Sequence, residues 1–537
     1  MTSEFRRRAL LQGAGISALA LFAATAPGEA ARAASLSRPG ASSAASAASA
    51  VTGTSLRARY HMTPPAGWLS DPQRPVFTRG AYQLYYLHSD VDNGDGSWDH
   101  VSTTDGVDFT FEGTVIPLQT NLPTWTGCTL IDTDDTAGYG AGAVIALATR
   151  PTGGVRKYQE QYLFFSTDGG FTFTARPDPV IVNTDGRAAT TDAEVSNAEW
   201  FRDPKVAWDA ARSEWVCVIG RQRYAAFYTS KNLVDWTLQR NFDYPDHDLG
   251  GIECPDLFQI TADDGTTHWV LAGSMDAYNV GLPCTYAYWT GSWDGTFFTA
   301  DDLTPQWLDW GWDWYAAVTW PAVEAPDTKR YGIGWMNNWK YADRQVPTDA
   351  SDGYNGQNSI VREITLRRRS AGGYALISEP VAALRSAATL IIPIADQSVN
   401  GSTVLPYDGR AYEIELDVTW SDATNVGVSV GRSADATRST NIGTAGGDLY
   451  VDRARSDRAG FALSPYTRAA APVDPATRSS HLRILVDTQS VEVFVDDGET
   501  VLSNQVNFDT GDTGISLFSD GGTATFSGIT ICEYGGE

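Results

Sequence analysis

Ser102-Thr103-Thr104-Asp105-Gly106-Val107-Asp108-Phe109, Ser166-Thr167-Asp168-Gly169-Gly170-Phe171-Thr172-Phe173 and Ser230-Lys231-Asn232-Leu233-Val234-Asp235-Trp236 are versions of one segment, and their starts lie 64 residues apart. A looser version, Thr290-Gly291-Ser292-Trp293-Asp294-Gly295-Thr296-Phe297, follows 60 residues after the third. A hydroxyl, an acid or amide, a turn residue and a closing aromatic are the chemistry of a tight turn between two strands. The text between these turns is short, β-branched or aromatic, as in Tyr82–Leu87, Val144–Thr149, Tyr162–Ser166, Trp215–Ile219 and Trp269–Gly273. A repeat of that length with room for four short strands is a propeller blade. Residues 56–370 hold about five of them.

Working outward, 371–390 reads as a linker with a short helix over Glu379–Ala387, and 391–537 returns to strands at Ala411–Thr419, His481–Asp487 and Ser490–Val495. The expected fold class is all-β: a five-bladed β-propeller followed by a C-terminal β-sandwich. At the other end, Arg6-Arg7-Arg8 leads into an apolar run from Ala14 to Ala26, the pattern of a twin-arginine export signal over 1–33. A Ser/Ala-rich leader follows over 34–55. The mature chain is therefore expected outside the cell, with no membrane-spanning segment, since the apolar run falls short of ~20 residues.

Lys and Arg total 39 against 65 Asp and Glu, a formal charge of −26, which disfavours nucleic acid as a partner. The chain carries 18 Trp, 23 Tyr and 20 Phe, residues whose flat faces serve cores and sugar rings alike. Five cysteines (Cys128, Cys217, Cys254, Cys284, Cys532) show no CxxC spacing, and the six histidines show no HExxH. No metal and no cofactor is expected. Cys254 either packs beside Glu253 or pairs with Cys284. His88 and His100 read as structural, and the run Asp132–Asp135 as a solvated loop rather than a calcium site.

Three segments depart from plain strand-and-turn text: Trp68-Leu69-Ser70-Asp71-Pro72, Phe201-Arg202-Asp203-Pro204-Lys205 and Glu253-Cys254-Pro255-Asp256. Each sets an acid near a proline in a different presumed blade, and the inner strands of a propeller converge on its axis. Two carboxylates flanking one bond, one ionised and one protonated, are the minimum for cleaving a glycoside.

Together the three segments resemble the nucleophile, Arg-Asp-Pro and Glu-Cys-Pro motifs of glycoside hydrolase family 32, the fructan-active hydrolases and transferases. Supporting text stands in the family's order: Tyr82–His88, Trp98-Asp99-His100, Trp125-Thr126-Gly127-Cys128, Asp309–Ala316 and Trp335–Trp339. The resemblance covers about residues 58–537. It implies Asp71 as nucleophile, Glu253 as acid/base, and Asp203 with Arg202 as stabilisers of an oxocarbenium-like transition state in a retaining mechanism. It also implies substrate contacts from Trp68, Ser70, Gln73, Trp98, Trp125, Thr126, Arg202 and Trp314, with Trp125 and Trp314 as sugar platforms.

The departures from the pattern shape the activity that the resemblance implies. Ser70 replaces an Asn, Gln73-Arg74 an Asn-Gly, Leu87 a Gln and Thr126 a Ser. Read as a pocket enlarged to hold two fructosyl units, they suggest a secreted enzyme acting on levan, the β-2,6-fructan, and on fructo-oligosaccharides. It would close the released disaccharide on itself as a difructose dianhydride, as bacterial levan fructotransferases do. The alternative is an exo-levanase or levanbiose-releasing β-fructosidase with the same three acids. A fructan-binding propeller without catalysis is the remaining reading.

Overall fold

The computed structural model describes residues 55–535 except 92–93, 95, 120, 153–157, 245–248 and 457–464. The expected export signal, and the leader up to residue 54, lie outside the described residues.

Among the described residues five antiparallel blades follow one another, each built on four strands that run from innermost to outermost in chain order, with a further short strand in blade 3 (Phe242–Asp243) and in blade 4 (Gln306–Trp307). Blade 1 is Gly67–Thr78, Ala81–Ser89, Ser97–Thr103 and Thr110–Ile116. Blade 2 is Gly127–Asp132, Ala143–Thr152, Tyr158–Ser166 and Thr174–Ala175. Blade 3 is Arg202–Asp209, Glu214–Gly220, Tyr224–Ser230 and Thr237–Leu238. Blade 4 is Ile252–Thr261, Thr267–Met275, Tyr286–Trp293 and Phe298–Ala300. Blade 5 is Tyr315–Pro321, Arg330–Trp335, Arg362–Arg368 and Tyr374–Pro380. The innermost strands touch in a closed ring, blade 1 meeting both blade 2 and blade 5.

The repeated segment is the turn between the third and fourth strands of blades 1 to 4. Its acid or amide oxygen accepts two successive backbone N–H groups in every case: Asp105 Oδ1 at 2.9 and 3.0 Å, Asp168 Oδ1 at 3.0 Å twice, Asn232 Oδ1 at 3.1 and 2.8 Å, and Asp294 Oδ1 at 2.7 and 2.8 Å. In blades 1 and 2 a hydroxyl also accepts from glycine, and there Thr103, not Ser102, is the counterpart of Ser166. Blade 5 turns instead through backbone bonds between Arg369 and Gly373, which is why the repeat fades there.

The ring is tied by an excursion between the second and third strands of blade 5. Its Tyr354–Asn355 pairs in parallel with Gly67 and Trp68 at the start of blade 1. Gly356 follows at φ 94°, and a Cβ there would lie 2.3 Å from Leu69 O, so only glycine fits. Tyr374–Pro380, placed in the linker by sequence, is the outermost strand of blade 5, because it completes the antiparallel ladder with Arg362–Arg368. The short helix is Ala382–Ser386, and Glu379 still belongs to that strand.

Among the described residues, eleven strands from Leu390–Pro393 to Gly514–Glu533 form the C-terminal β-sandwich. Alternation builds its core: in Tyr412–Trp420, Tyr412, Ile414, Leu416 and Val418 are buried, while Asp417 is exposed. Buried charge joins it to the propeller. Arg362 bridges Asp309 (2.9 Å) and Glu492 (2.7 Å), Arg453 pairs with Asp313 (2.6 Å), and His61 bridges Asp487 (2.9 Å) and Glu492 (3.0 Å). Burial alone would lower the His61 pKa, but its two carboxylate partners outweigh that and push it up to about 9.

Candidate active site

Near the start of the inner strands of blades 1, 3, 4 and 5, the register with the neighbouring strand slips. In blades 3, 4 and 5 one residue in the slip takes a positive φ: Asp203 at 60°, Cys254 at 45° and Ala316 at 50°. These are β-bulges, which bend a strand and re-aim its side chains. In blades 3 and 4 a proline follows, and a bulge tolerates it because that residue is released from the ladder. The Asp-Pro and Cys-Pro pairs of the sequence are therefore marks of bulged inner strands.

The repetition brings Arg202, Glu253 and Tyr315 to one level in consecutive blades, and they meet there. Arg202 Nη1 lies 3.1 Å from Glu253 Oε1, and the Tyr315 hydroxyl donates to Glu253 Oε2 at 2.7 Å. Asp203 Oδ2 accepts from the Cys254 amide at 2.9 Å. Cys254 Sγ sits 3.6 Å from that oxygen and 3.7 Å from Asp71 Oδ2. Thr126 Oγ1, from the start of blade 2, donates to Asp71 Oδ2 at 2.5 Å. Asp71, Asp203 and Glu253 thus converge from blades 1, 3 and 4, each more than nine-tenths buried.

Further residues hold this set in place. Gln159 Oε1 accepts from Arg202 Nε at 2.9 Å, and the guanidinium lies 4.6 Å from the Trp200 ring and 5.8 Å from Trp125. Thr149 accepts from the Asp203 amide (2.8 Å) and donates to Gln161 (2.9 Å). One step deeper, where the bulges end, Lys205 pairs with Asp256 at 3.1 Å. Burial lowers the Lys205 pKa to about 8.

Burial first, and then the charges of Glu253 and Asp71, push the Asp203 pKa up to about 7 against the opposing pull of Arg202. With two further carboxylates beside it, Asp203 keeps its proton to near neutral pH. Such a site has an anionic oxygen to attack with and a proton to give.

The expected substrate contacts divide. Trp125 is half-buried beside Arg202; Ser70 is buried next to Asp71; Thr126 and Arg202 bind the acids. Trp68 is buried and meets Trp335 edge-on at 5.7 Å. Three expectations are corrected. Gln73 is fully buried and spent on the backbone, donating to Asp71 O (2.8 Å) and accepting from Gly127 N (2.7 Å). Trp98 has no exposed surface and donates to Trp125 O at 3.0 Å inside an apolar cluster. Trp314, likewise sealed, donates to Ser359 Oγ at 2.9 Å and lies under Arg362, at the joint with the sandwich rather than on a sugar platform.

Sequence reasoning missed Tyr315, Gln159, Gln161 and Thr149 as parts of the site. Only Tyr315 carried a signal, since Tyr315-Ala316 stands where Glu253-Cys254 does in the preceding blade. All five cysteines are free; Cys284 donates to Asp276 at 3.0 Å instead of pairing with Cys254. Asp132 accepts from Thr136 and Ala137 and so serves its own turn. His100 is buried against Gln83 at 2.8 Å, and His88 binds Ala66 O at 2.8 Å.

A propeller that gathers three acids and an arginine at its axis defines a carboxylate-based glycosidase. The family follows from comparison with known proteins. Residues 61–380 match the glycosyl hydrolases family 32 N-terminal domain and 381–533 the family 32 C-terminal domain, and the chain belongs to that family. It is 42% identical over 487 residues to a levanbiose-producing levanase of Bacillus subtilis, covering 89% of this chain and 91% of that protein. It is 40% identical to another from Geobacillus stearothermophilus, covering 75% of this chain and all of that protein. Among solved structures, an exo-inulinase from Aspergillus awamori superposes with a TM-score of 0.79 at 26% identity, over 89% of this chain and 98% of the inulinase.

Proposed function

We propose that the protein is a levan-degrading β-fructosidase that releases levanbiose from chain ends through a covalent fructosyl-enzyme. The observation that carries it is the convergence of Asp71, Asp203 and Glu253 around one buried position, together with relatives named for that product. Asp71 attacks the anomeric C2 as Glu253 gives its proton to the departing oxygen. Asp203 and Arg202 hold the ring as positive charge builds on it. Glu253, now ionised, takes a proton from the water that attacks C2, and Asp71 leaves. The Tyr315 hydroxyl donates to the ionised Glu253 and fixes its orientation.

Intramolecular transfer to a difructose dianhydride is the second reading. Ser70, smaller than the asparagine of the family's motif, is the residue that favours it. Gln73 no longer supports that reading, because its amide is consumed by the backbone.

Mass analysis of the small products of levan distinguishes the outcomes. A disaccharide of full mass supports hydrolytic release. One lighter by a single water means that a tethered hydroxyl outcompetes solvent at the intermediate. Fructose alone removes the two-unit pocket from both readings.

A further inference from the structure

Below the acids the inner strands of blades 3, 4 and 5 meet a second time. Lys205 Nζ lies 3.1 Å from Asp256 Oδ1 and donates to Thr319 O at 3.4 Å. Thr319 Oγ1 donates to Asp256 Oδ2 at 2.6 Å and accepts from Arg330 Nε at 3.0 Å. The Thr319 amide and the Tyr286 hydroxyl donate to the same Asp256 oxygen at 3.0 and 3.2 Å, and the Leu257 amide donates to Oδ1 at 2.8 Å. Lys205, Asp256, Thr319 and Arg330 are each no more than 4% exposed.

This layer repeats the one above it. Arg202, Glu253 and Tyr315 are a cation, an acid and a hydroxyl from three consecutive blades, and so are Lys205, Asp256 and Thr319. The bulges produce the repeat. From Arg202 to Lys205 the strand advances three residues while its partner advances two, from Gly220 to Val218, and Glu253 to Asp256 does the same against Ser274 and Ala272. Alternate side chains of a strand share a face, so the extra residue keeps Lys205 and Asp256 on the side of Arg202 and Glu253. In blade 5 the same count runs from Tyr315 to Val318, and the hydroxyl comes from Thr319, the next residue.

A buried ion pair is a poor source of stability, because desolvation offsets its attraction and apolar side chains of like volume serve as well. What it supplies is direction: charge-assisted bonds fix the distance and angle between neighbouring strands. Here they do so at the end of the bulges of blades 3 and 4, three residues from Arg202 and from Glu253. Proton transfer to a departing oxygen depends on placing the acid to a fraction of an ångström. The structure assigns Lys205, Asp256 and Thr319 as positioning residues that lock the inner strands of blades 3, 4 and 5 together and so keep Glu253 seated between Arg202 and Tyr315. This rests on the reading of Glu253 as the acid/base of a fructosidase, given above.

The test neutralises the pair in the full chain, Lys205→Met with Asp256→Asn, which conserves net charge and keeps an acceptor for Thr319. The expected result is a kcat on a short fructo-oligosaccharide lowered about tenfold with KM unchanged. The alkaline limb of the pH–rate profile should move to higher pH, as ionised Glu253 loses firm contact with Arg202 and Tyr315. In a Tyr315→Phe background the same replacement should move the limb much less, since the bond it loosens is already gone. Thr319→Val, which removes only the hydroxyl, should act in the same direction, and it decides by the same criteria if the double variant does not fold. A lower melting temperature with kcat and limb unchanged overturns the proposal, because the layer is then a structural tie alone. Equal displacement of the limb in both backgrounds also overturns it: Lys205, whose pKa burial lowers to about 8, would then set that limb by its own titration. A parent protein inactive on levan and on short fructo-oligosaccharides overturns the fructosidase reading, and this proposal with it, before any variant is made.

Discussion

The two ends of the propeller's inner strands are built in opposite ways. At the first end the chain is bulged, three residues outside glycine sit at positive φ, and the charged side chains are buried and bound to one another. At the other end, Phe77 and Trp208, 37% and 39% exposed, line a cavity of about 490 Å³. The first end stores backbone strain and buried charge, both costly, and is held together by the blades around it. The second exposes apolar surface. One set of strands thus runs from a buried cluster of charges to an open, aromatic-lined mouth.

The largest expected effect breaks the first end directly. Asp71→Asn should lower kcat on levan by about 10⁴-fold while leaving the melting temperature unchanged or raised. A modest loss in steady-state turnover would mean that another carboxylate attacks.

Two tryptophans expected as sugar contacts give the next largest contrast. Trp314→Ala should cost about 3–5 kcal/mol in chemical denaturation, because it empties the joint beneath Arg362. Trp125→Ala, half-buried near the acids, should raise KM with little change in stability. Equal loss of stability in both would erase the distinction between core and rim.

Tyr315→Phe should lower kcat about 10–100-fold. The alkaline limb of the pH–rate profile should also move to higher pH, since ionised Glu253 loses a donor. A purely structural tyrosine would change the rate or the stability without moving that limb.

The smallest effects lie in the pH dependence of stability. Asp203 has a pKa raised to about 7, so it binds its proton more tightly folded than unfolded, and stability falls as pH climbs from the ordinary carboxylate range through 7. Asp203→Asn should remove that slope and raise Tm by about 2–4 °C at pH 8. His61, raised to about 9, adds stability that is complete below its ordinary pKa and lost as pH rises through 9. Lys205, lowered to about 8, works in the opposite sense over that range. The His61 contribution is therefore read from the difference between the parent protein and His61→Gln in melts from pH 7 to 10. Parallel curves would show that the bridge to Asp487 and Glu492 is uncoupled from folding.

Much of this was legible in the chain. The 64-residue recurrence is visible because each turn needs the same side-chain oxygen over two backbone amides, a local demand met by a few residue types. Blade 5 meets that demand with backbone alone and left no trace. The three acids were legible because each stands at or beside a register slip with a proline within two residues. Trp98, Trp314 and Gln73 misled because an aromatic ring or an amide looks the same in sequence whether it faces a sugar or is sealed by neighbours from distant segments.

The sequence by itself determined the blade period, the alternation of the sandwich and the positions of the acids, since each depends on residues a few positions apart. Only the tertiary structure decided that Tyr315 reaches Glu253, that Gln73 is consumed by the backbone, that Trp314 belongs to the joint with the sandwich, and that the far ends of the inner strands open onto a cavity lined by Phe77 and Trp208. Those outcomes depend on how five blades close into one ring, a geometry that no short stretch of chain encodes.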